Sequence, residues 1–228
     1  MGRMKKKAGI VGISDRINGI AKADRRAGIR LAAFLSVALM ALTGCGKPWL
    51  WGKVQENTLV VEKDGAVTLC LVDSFEKEYY SIPELLEFAE AEADAYNRGH
   101  PCGSDEDAVT VESVEFIGDE KAKVLLRESF DSADTYEAFE GGILFTGTVG
   151  EALDMGFDLE QRLHSAKDRC ELPEEWHLQN KAQKILITDL KGKVYVPGRV
   201  WALSQGECLA GGAVDTMGTQ GNVLLLLK

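Results

Sequence analysis

The sequence predicts an α+β fold: a mostly antiparallel sheet with one long and one or two short helices, and a β-rich C-terminal part. Three observations carry this prediction. Apolar runs of strand length are broken at Asp64-Gly65 and Gly118-Asp119, the stretch from Ser81 to Gly99 repeats its apolar residues at helical spacing, and residues 183–228 read almost wholly as strand.

The chain opens on a leader that does not belong to this domain. Arg3, Lys5, Lys6, Lys7, Arg16, Lys22, Arg25, Arg26 and Arg30 face only Asp15 and Asp24, and the uncharged run Leu31 to Ala41 follows. Eleven residues suit the apolar region of an export signal, whereas a membrane-spanning helix needs about twenty. The run ends on Leu42-Thr43-Gly44-Cys45, which resembles the lipobox of bacterial lipoproteins in all four positions. That resemblance implies recognition of Leu42, Thr43 and Gly44 by a signal peptidase, cleavage after residue 44, and a diacylglyceryl group on the Cys45 sulfur. Residues 45–57 then form a lipid-anchored tether, with Trp49 and Trp51 placed either among headgroups or against the domain.

The domain elements follow in order. TLVVEK and AVTLCLV flank Asp64-Gly65 as two strands of a hairpin near 58–63 and 66–73. Ser81 and Glu84 have capping-box spacing, and Ile82, Leu85, Leu86, Ala89, Ala93 and Tyr96 mark one helix stripe that Gly99 stops. AVTVESVEFIG and KAKVLLRES form a second hairpin, with a bulge where the apolar phase slips between Val111 and Val114. DSADTYEAFEG reads as a short helix, GILFTGTV as a strand, and Glu151 to Met155 as a helical turn. An α+β core over 58–157, an irregular segment over 158–182 and a β-rich part over 183–228 result. The last completes the same sheet or forms a small appended one.

Charge narrows the partners. The chain holds 26 Lys and Arg against 36 Asp and Glu, and residues 45–228 hold 17 against 34, a net charge of −17. Such a surface repels nucleic acid and anionic headgroups, so no nucleic-acid partner is expected and the lipid must anchor without a polybasic patch. The helix carboxylates Glu84, Glu87, Glu90, Glu92 and Asp94 read as a solvated face.

No catalytic constellation emerges. Ser74-Phe75-Glu76-Lys77 has SxxK spacing but lacks the S-D-N and K-T-G partners of β-lactamase-like enzymes, and there is no G-x-S-x-G or P-loop. The candidate metal ligands are His164, Cys170 and His177, with His100 and Cys102 outside them, but their gaps are wider than compact zinc sites use, so no metal is assigned. Ser104 to Asp107 cluster oxygens without an EF-hand pattern. Cys70, Cys102, Cys170 and Cys208 allow three connectivities, Cys102 to Cys170 among them, while Cys70 lies in an apolar run that favours a buried thiol.

Over residues 78–157 the body resembles uncharacterised lipoproteins of Gram-positive anaerobes, through Tyr79-Tyr80, Tyr136, Ala138, Phe139 and FTGTVGEA, Phe145 to Ala152. The resemblance implies no activity. The expectation is therefore a lipid-anchored extracytoplasmic binding or interaction domain at the cell membrane, with an unknown protein or envelope ligand and no cofactor beyond the diacylglycerol on Cys45. The alternative is an envelope hydrolase or metal-dependent enzyme.

Overall fold

The computed structural model describes residues 54–74, 81–100, 107–118 and 123–228. The lipobox, Trp49, Trp51, Lys77, Tyr79, Tyr80, Cys102 and Ser104 to Glu106 lie outside them. The fold is α+β, built on two sheets.

The first hairpin forms as expected. β1 (Thr58–Val61) and β2 (Val67–Ser74) pair antiparallel around the Asp64-Gly65 turn, where Asp64 Oδ1 accepts the Ala66 N–H at 3.2 Å. Helix α1 (Ile82–Gly99) follows with Leu85, Ala89 and Ala93 buried, while Glu84, Glu87, Glu90 and Asp94 face solvent. Only half of the expected capping box forms at its start: Ser81 accepts from the Glu84 N–H, without the return bond. At the other end, Asn97 clamps the helix to the next strand. Its amide donates to the Val109 carbonyl at 2.8 Å and accepts from the Val109 N–H at 3.0 Å.

β3 (Val109–Ile117) and β4 (Lys123–Phe130) form the second hairpin, with the register shifting between Val111 and Ser113, where the slipped phase predicts a bulge. Helix α2 (Ala133–Glu140) is capped by Ser132 and closed by Gly141. It brings Tyr136 edge-on to Phe130 at 5.5 Å and Phe139 edge-on to that of Tyr96 at 5.6 Å. β5 (Leu144–Thr148) leads into α3 (Val149–Asp154), which has a complete capping box between Thr148 and Glu151.

The segment 158–182 contains only β6 (His164–Ser165) and the short helix α4 (Trp176–Gln179). It is nonetheless anchored, because Leu159, Leu163 and Trp176 are buried. The rest of the chain supplies β7 (Lys184–Thr188), β8 (Lys193–Tyr195), β9 (Val200–Leu203), β10 (Glu207–Cys208), β11 (Ala213–Asp215) and β12 (Val223–Leu227).

These six strands divide between the sheets. One sheet has the order β10-β11-β8-β1-β2-β4-β3, and the other β5-β7-β12-β9-β6. The C-terminal part therefore does both things the sequence left open, extending the first sheet through a parallel β1–β8 pair and building the second around β12. Every residue of β12 is buried: Val223, Leu225 and Leu227 enter the core shared with β1 and β2, while Leu224 and Leu226 face a second core with Ile185, Ile187, Ala152 and Trp176. A strand covered on both faces needs a continuous apolar run, and VLLLL supplies it.

Residues 54–57, placed in the tether by sequence, are joined to the body. Val54 packs on Cys70 and Leu125 against the outer face of the first sheet. Asn57 accepts the Val72 N–H through Oδ1 at 2.9 Å and the Lys193 N–H through its carbonyl at 2.8 Å.

Candidate functional site

The two sheets end side by side, β6 at the edge of one and β10 at the edge of the other. Between these edges lies an open cleft of about 620 Å³, whose wall includes Lys167, Arg199, Trp201, Cys208, Leu209 and Lys228. Its volume falls within the range of roughly 300–1,000 Å³ usual for small-molecule sites.

Three backbone devices set the cationic side chains. The first is the turn after β6, where the Arg169 N–H donates to the Ser165 carbonyl at 3.0 Å and the Ser165 N–H to the Cys170 carbonyl at 2.9 Å. Arg169 closes this turn at φ +60°, the one non-glycine residue with positive φ among the described residues. A left-handed non-glycine residue costs about 1–3 kcal/mol and persists where its surroundings over-determine it. Here the Arg169 guanidinium reaches Glu207 across the gap at 3.7 Å, joining the two edges.

The second device is a reciprocal pair. The Lys228 N–H donates to the Arg199 carbonyl at 2.9 Å and the Arg199 N–H to the Lys228 carbonyl at 3.2 Å. Gly198 permits this approach, since a Cβ there would stand 2.7 Å from the Lys228 carbonyl oxygen. Residues facing each other in an antiparallel pair project to one side, so both cations meet the same space.

The third is a bulge. Ala202 pairs with Leu226 and Val200 with Leu227, which leaves Trp201 as the extra residue of β9. Bulges re-aim side chains and gather at sheet edges and next to sites. Trp201 lines the cleft, its carbonyl accepts the Ala166 N–H at 2.8 Å, and the Lys228 Nζ stands 5.6 Å from its ring centroid. Ammonium groups are attracted to an indole face at such distances, so Trp201 holds the Lys228 charge at the wall.

The electrostatics are one-sided. No Asp or Glu side chain lines the cleft, and the main-chain carboxylate of Lys228 takes the Arg199 N–H. Asp168, beside Lys167, accepts the Cys170 N–H at 3.2 Å, and the Ser165 hydroxyl and that N–H together hold its carboxyl below the usual range. Partial desolvation pushes the Cys208 thiol up, the Arg169 charge offsetting some of the rise. A raised thiol is the wrong direction for a nucleophile. The side-chain charges that line the cleft, those of Lys167, Arg199 and Lys228, are of the sign that attracts an anion.

The sequence-derived metal candidates do not assemble. No group of three or more His, Cys, Asp or Glu side chains is placed to hold a metal ion among the described residues. His164 sits on β6 opposite Leu203, Cys170 is an exposed free thiol at the end of the Arg169 turn, and His177 lines a separate cleft of about 440 Å³ beside Trp176. That second cleft carries Glu160, Glu171, Glu174 and Glu175, with Arg162 on Glu171 at 3.8 Å and both side chains largely exposed. His100 stacks on Tyr96 at 4.2 Å. Cys170 is a free thiol, and Cys102, the other end of the possible bridge, lies outside the described residues; Cys70 is buried, and burial pushes its thiol up.

Lys167, Arg199, Trp201 and Lys228 were not legible as a set. They are spread over more than sixty positions, and only Trp201, a lone aromatic in the run RVWALS, stands out in sequence. No family model, curated protein or solved structure matches the chain. Among the described residues, no helix is long and apolar enough to cross a membrane.

Proposed function

We propose that the chain is a lipid-anchored extracytoplasmic binding protein, held at the cell membrane through a diacylglyceryl group on Cys45. The observation that carries this reading is Leu42-Thr43-Gly44-Cys45 placed directly behind a basic leader and an eleven-residue apolar run. Two acyl chains, at roughly 0.8 kcal/mol per buried CH2, hold a protein on a bilayer without help from basic residues. Such help is absent where residues 45–228 carry a net charge of −17.

The anchor also bounds the working range of the domain. Val54, nine positions after Cys45, is buried against the first sheet. Nine extended residues reach at most roughly 30 Å, so the domain operates at the bilayer surface. The cleft between β6 and β10, lined by the side chains of Lys167, Arg199 and Lys228, supports a binding role.

Detergent phase partitioning, with the intact N-terminal mass, tests the anchor. The native protein is expected in the detergent phase with a diacylated Cys45 as its first residue, and a Cys45→Ala variant is expected to lose the lipid. Both forms remaining unlipidated would refute the reading.

A further inference from the structure

We infer that the cleft between β6 and β10 is a binding site for a small organic phosphate. The inference deepens the binding reading above and does not depend on Cys45.

Charge is the first argument. The cleft is lined by three cationic side chains and by no Asp or Glu side chain, in a chain where acidic residues outnumber basic ones two to one beyond residue 44. Five cations elsewhere are in ion pairs, Arg98 with Asp94, Arg127 with Glu115, Arg162 with Glu171, Arg169 with Glu207 and Lys193 with Glu56, while Lys63, Lys123, Lys181 and Lys184 are in none of these pairs and stand apart from the cleft. Lys167 and Arg199 make no ion pair among the described residues, and Lys228 stands over Trp201. Three cationic side chains outnumber the one main-chain carboxylate at Lys228, so an anion that enters meets a wall of net positive charge.

Chemistry selects the anion. A phosphate monoester carries about 1.5 to 2 negative charges near neutral pH and three acceptor oxygens, enough to meet Lys167, Arg199 and Lys228 together. A carboxylate brings one charge. Arginine adds a two-pronged match to phosphate oxygens. The apolar share of the wall, Trp201 with Leu209 and Ala213, and a volume of about 620 Å³ leave room for an organic portion that inorganic phosphate lacks.

Net charge selects size. Charge–charge interactions fade over about 8 Å at physiological salt, so a small dianion in the cleft feels mainly the nearby cations. A nucleic acid or an anionic bilayer would meet the wider surface of a domain at −17 and be repelled.

The test uses the purified full chain in neutral detergent, titrated by calorimetry with sn-glycerol 3-phosphate and glucose 6-phosphate, beside glycerol, glucose and inorganic phosphate. One or both organic phosphates are expected to bind, and to slow alkylation of Cys208, which lines the cleft, without protecting Cys170, which does not. Arg199→Gln and Lys167→Gln are each expected to weaken binding about tenfold, the scale of one charged hydrogen bond, while the exposed Lys63→Gln leaves it within about twofold.

Several results would overturn the proposal: no binding by either organic phosphate, equal binding of the neutral polyols or of inorganic phosphate, or affinities unmoved by both cleft variants. Binding only to mixed micelles containing phosphatidylglycerol would assign the cleft to a lipid headgroup instead. Cys208 protection is read on the unsubstituted chain, so a variant that folds poorly does not blunt the test. Phase partitioning of Cys45 can succeed or fail independently.

Discussion

Replacing Gly192 with alanine tests how the C-terminal strands are joined to the first sheet. Gly192 sits at φ +152°, and a Cβ there would lie 2.0 Å from the Asn57 carbonyl oxygen and 2.8 Å from its carbon. That oxygen accepts the Lys193 N–H that starts the parallel β1–β8 pair. Relief must come from one side or the other. Moving Asn57 strains its Oδ1 bond from Val72, and moving Gly192 strains its N–H bond to Thr216 Oγ1 at 3.2 Å and the Thr216 N–H bond to its carbonyl at 2.8 Å. Two backbone-scale hydrogen bonds at about 1 kcal/mol each and about 1–2 kcal/mol of conformational strain put Gly192→Ala near 3–4 kcal/mol. For a domain of this size, at about 2–4 °C per kcal/mol, the melting temperature should fall by about 10 °C. Gly65→Ala is the comparison, because Gly65 also has positive φ, +97°, with nothing within 4 Å of a new Cβ. It should lose only the conformational part, about 4–5 °C. Thermal unfolding of the two variants by circular dichroism, in the full chain in neutral detergent, separates the effects. Equal losses would refute the close approach as the seam between the chain's two halves.

Two titration predictions follow from groups away from the cleft. The Tyr136 hydroxyl is buried with no hydrogen-bond partner, and burial, then Glu140, Asp189 and Glu137, push its ionisation well above the usual tyrosine range. Since the folded state keeps this proton longer than the unfolded state, stability should fall as pH rises past the ordinary tyrosine value. Tyr136→Phe should remove that dependence and stabilise the protein by up to about 1 kcal/mol at neutral pH; a clear loss of stability in urea unfolding would show that the hydroxyl is bonded after all. At the start of α3, Glu151 accepts from the Thr148 N–H at 2.7 Å and hydroxyl at 2.8 Å, which holds its carboxyl low. Its contribution is complete above the ordinary glutamate range and disappears as pH falls through the lowered folded value. NMR titration of Glu151 should move back up in Thr148→Ala, and an unchanged midpoint would break the link.

Local patterns in the sequence proved readable because their causes are local. The stripe Leu85, Ala89 and Ala93 buries one face of α1, and the phase slip near Val111 becomes a bulge, since each depends on neighbours a few positions away. The T-x-x-E signal of Thr148 to Glu151 is equally local, but it begins inside GILFTGTV, whose apolar pattern reads as strand through Val149. Strand partnership is different: VLLLL says that β12 is covered on both faces but not by which strands, and KVY gives no sign that β8 joins β1 in parallel. The candidate site belongs to this second kind. Histidines and cysteines attract attention by type, yet His164, Cys170 and His177 do not converge, while Lys167 after β6, Arg199 before β9 and Lys228 after β12 line one cleft.

Edge protection is the competing account of those cations, because sheets blunt their edges with charge, especially lysine, to avoid pairing with other chains. The edges at the cleft are already blunt. β6 and β10 are two residues long, and a strand so short offers little template for another chain. The longer exposed edge is β3, nine residues, and it carries Glu112 and Glu115, with the Glu112 carboxylate bonded to Ser129 on its neighbour. Where this fold needs edge charge it uses carboxylates, in keeping with its composition. Arg199 and Lys228 also flank the interior strands β9 and β12 as a reciprocal pair beside a bulge, a place that edge repulsion does not require. The two accounts part on Arg199→Gln: edge protection predicts self-association with phosphate binding unaffected, and a phosphate site predicts a soluble monomer-like species with binding weakened about tenfold.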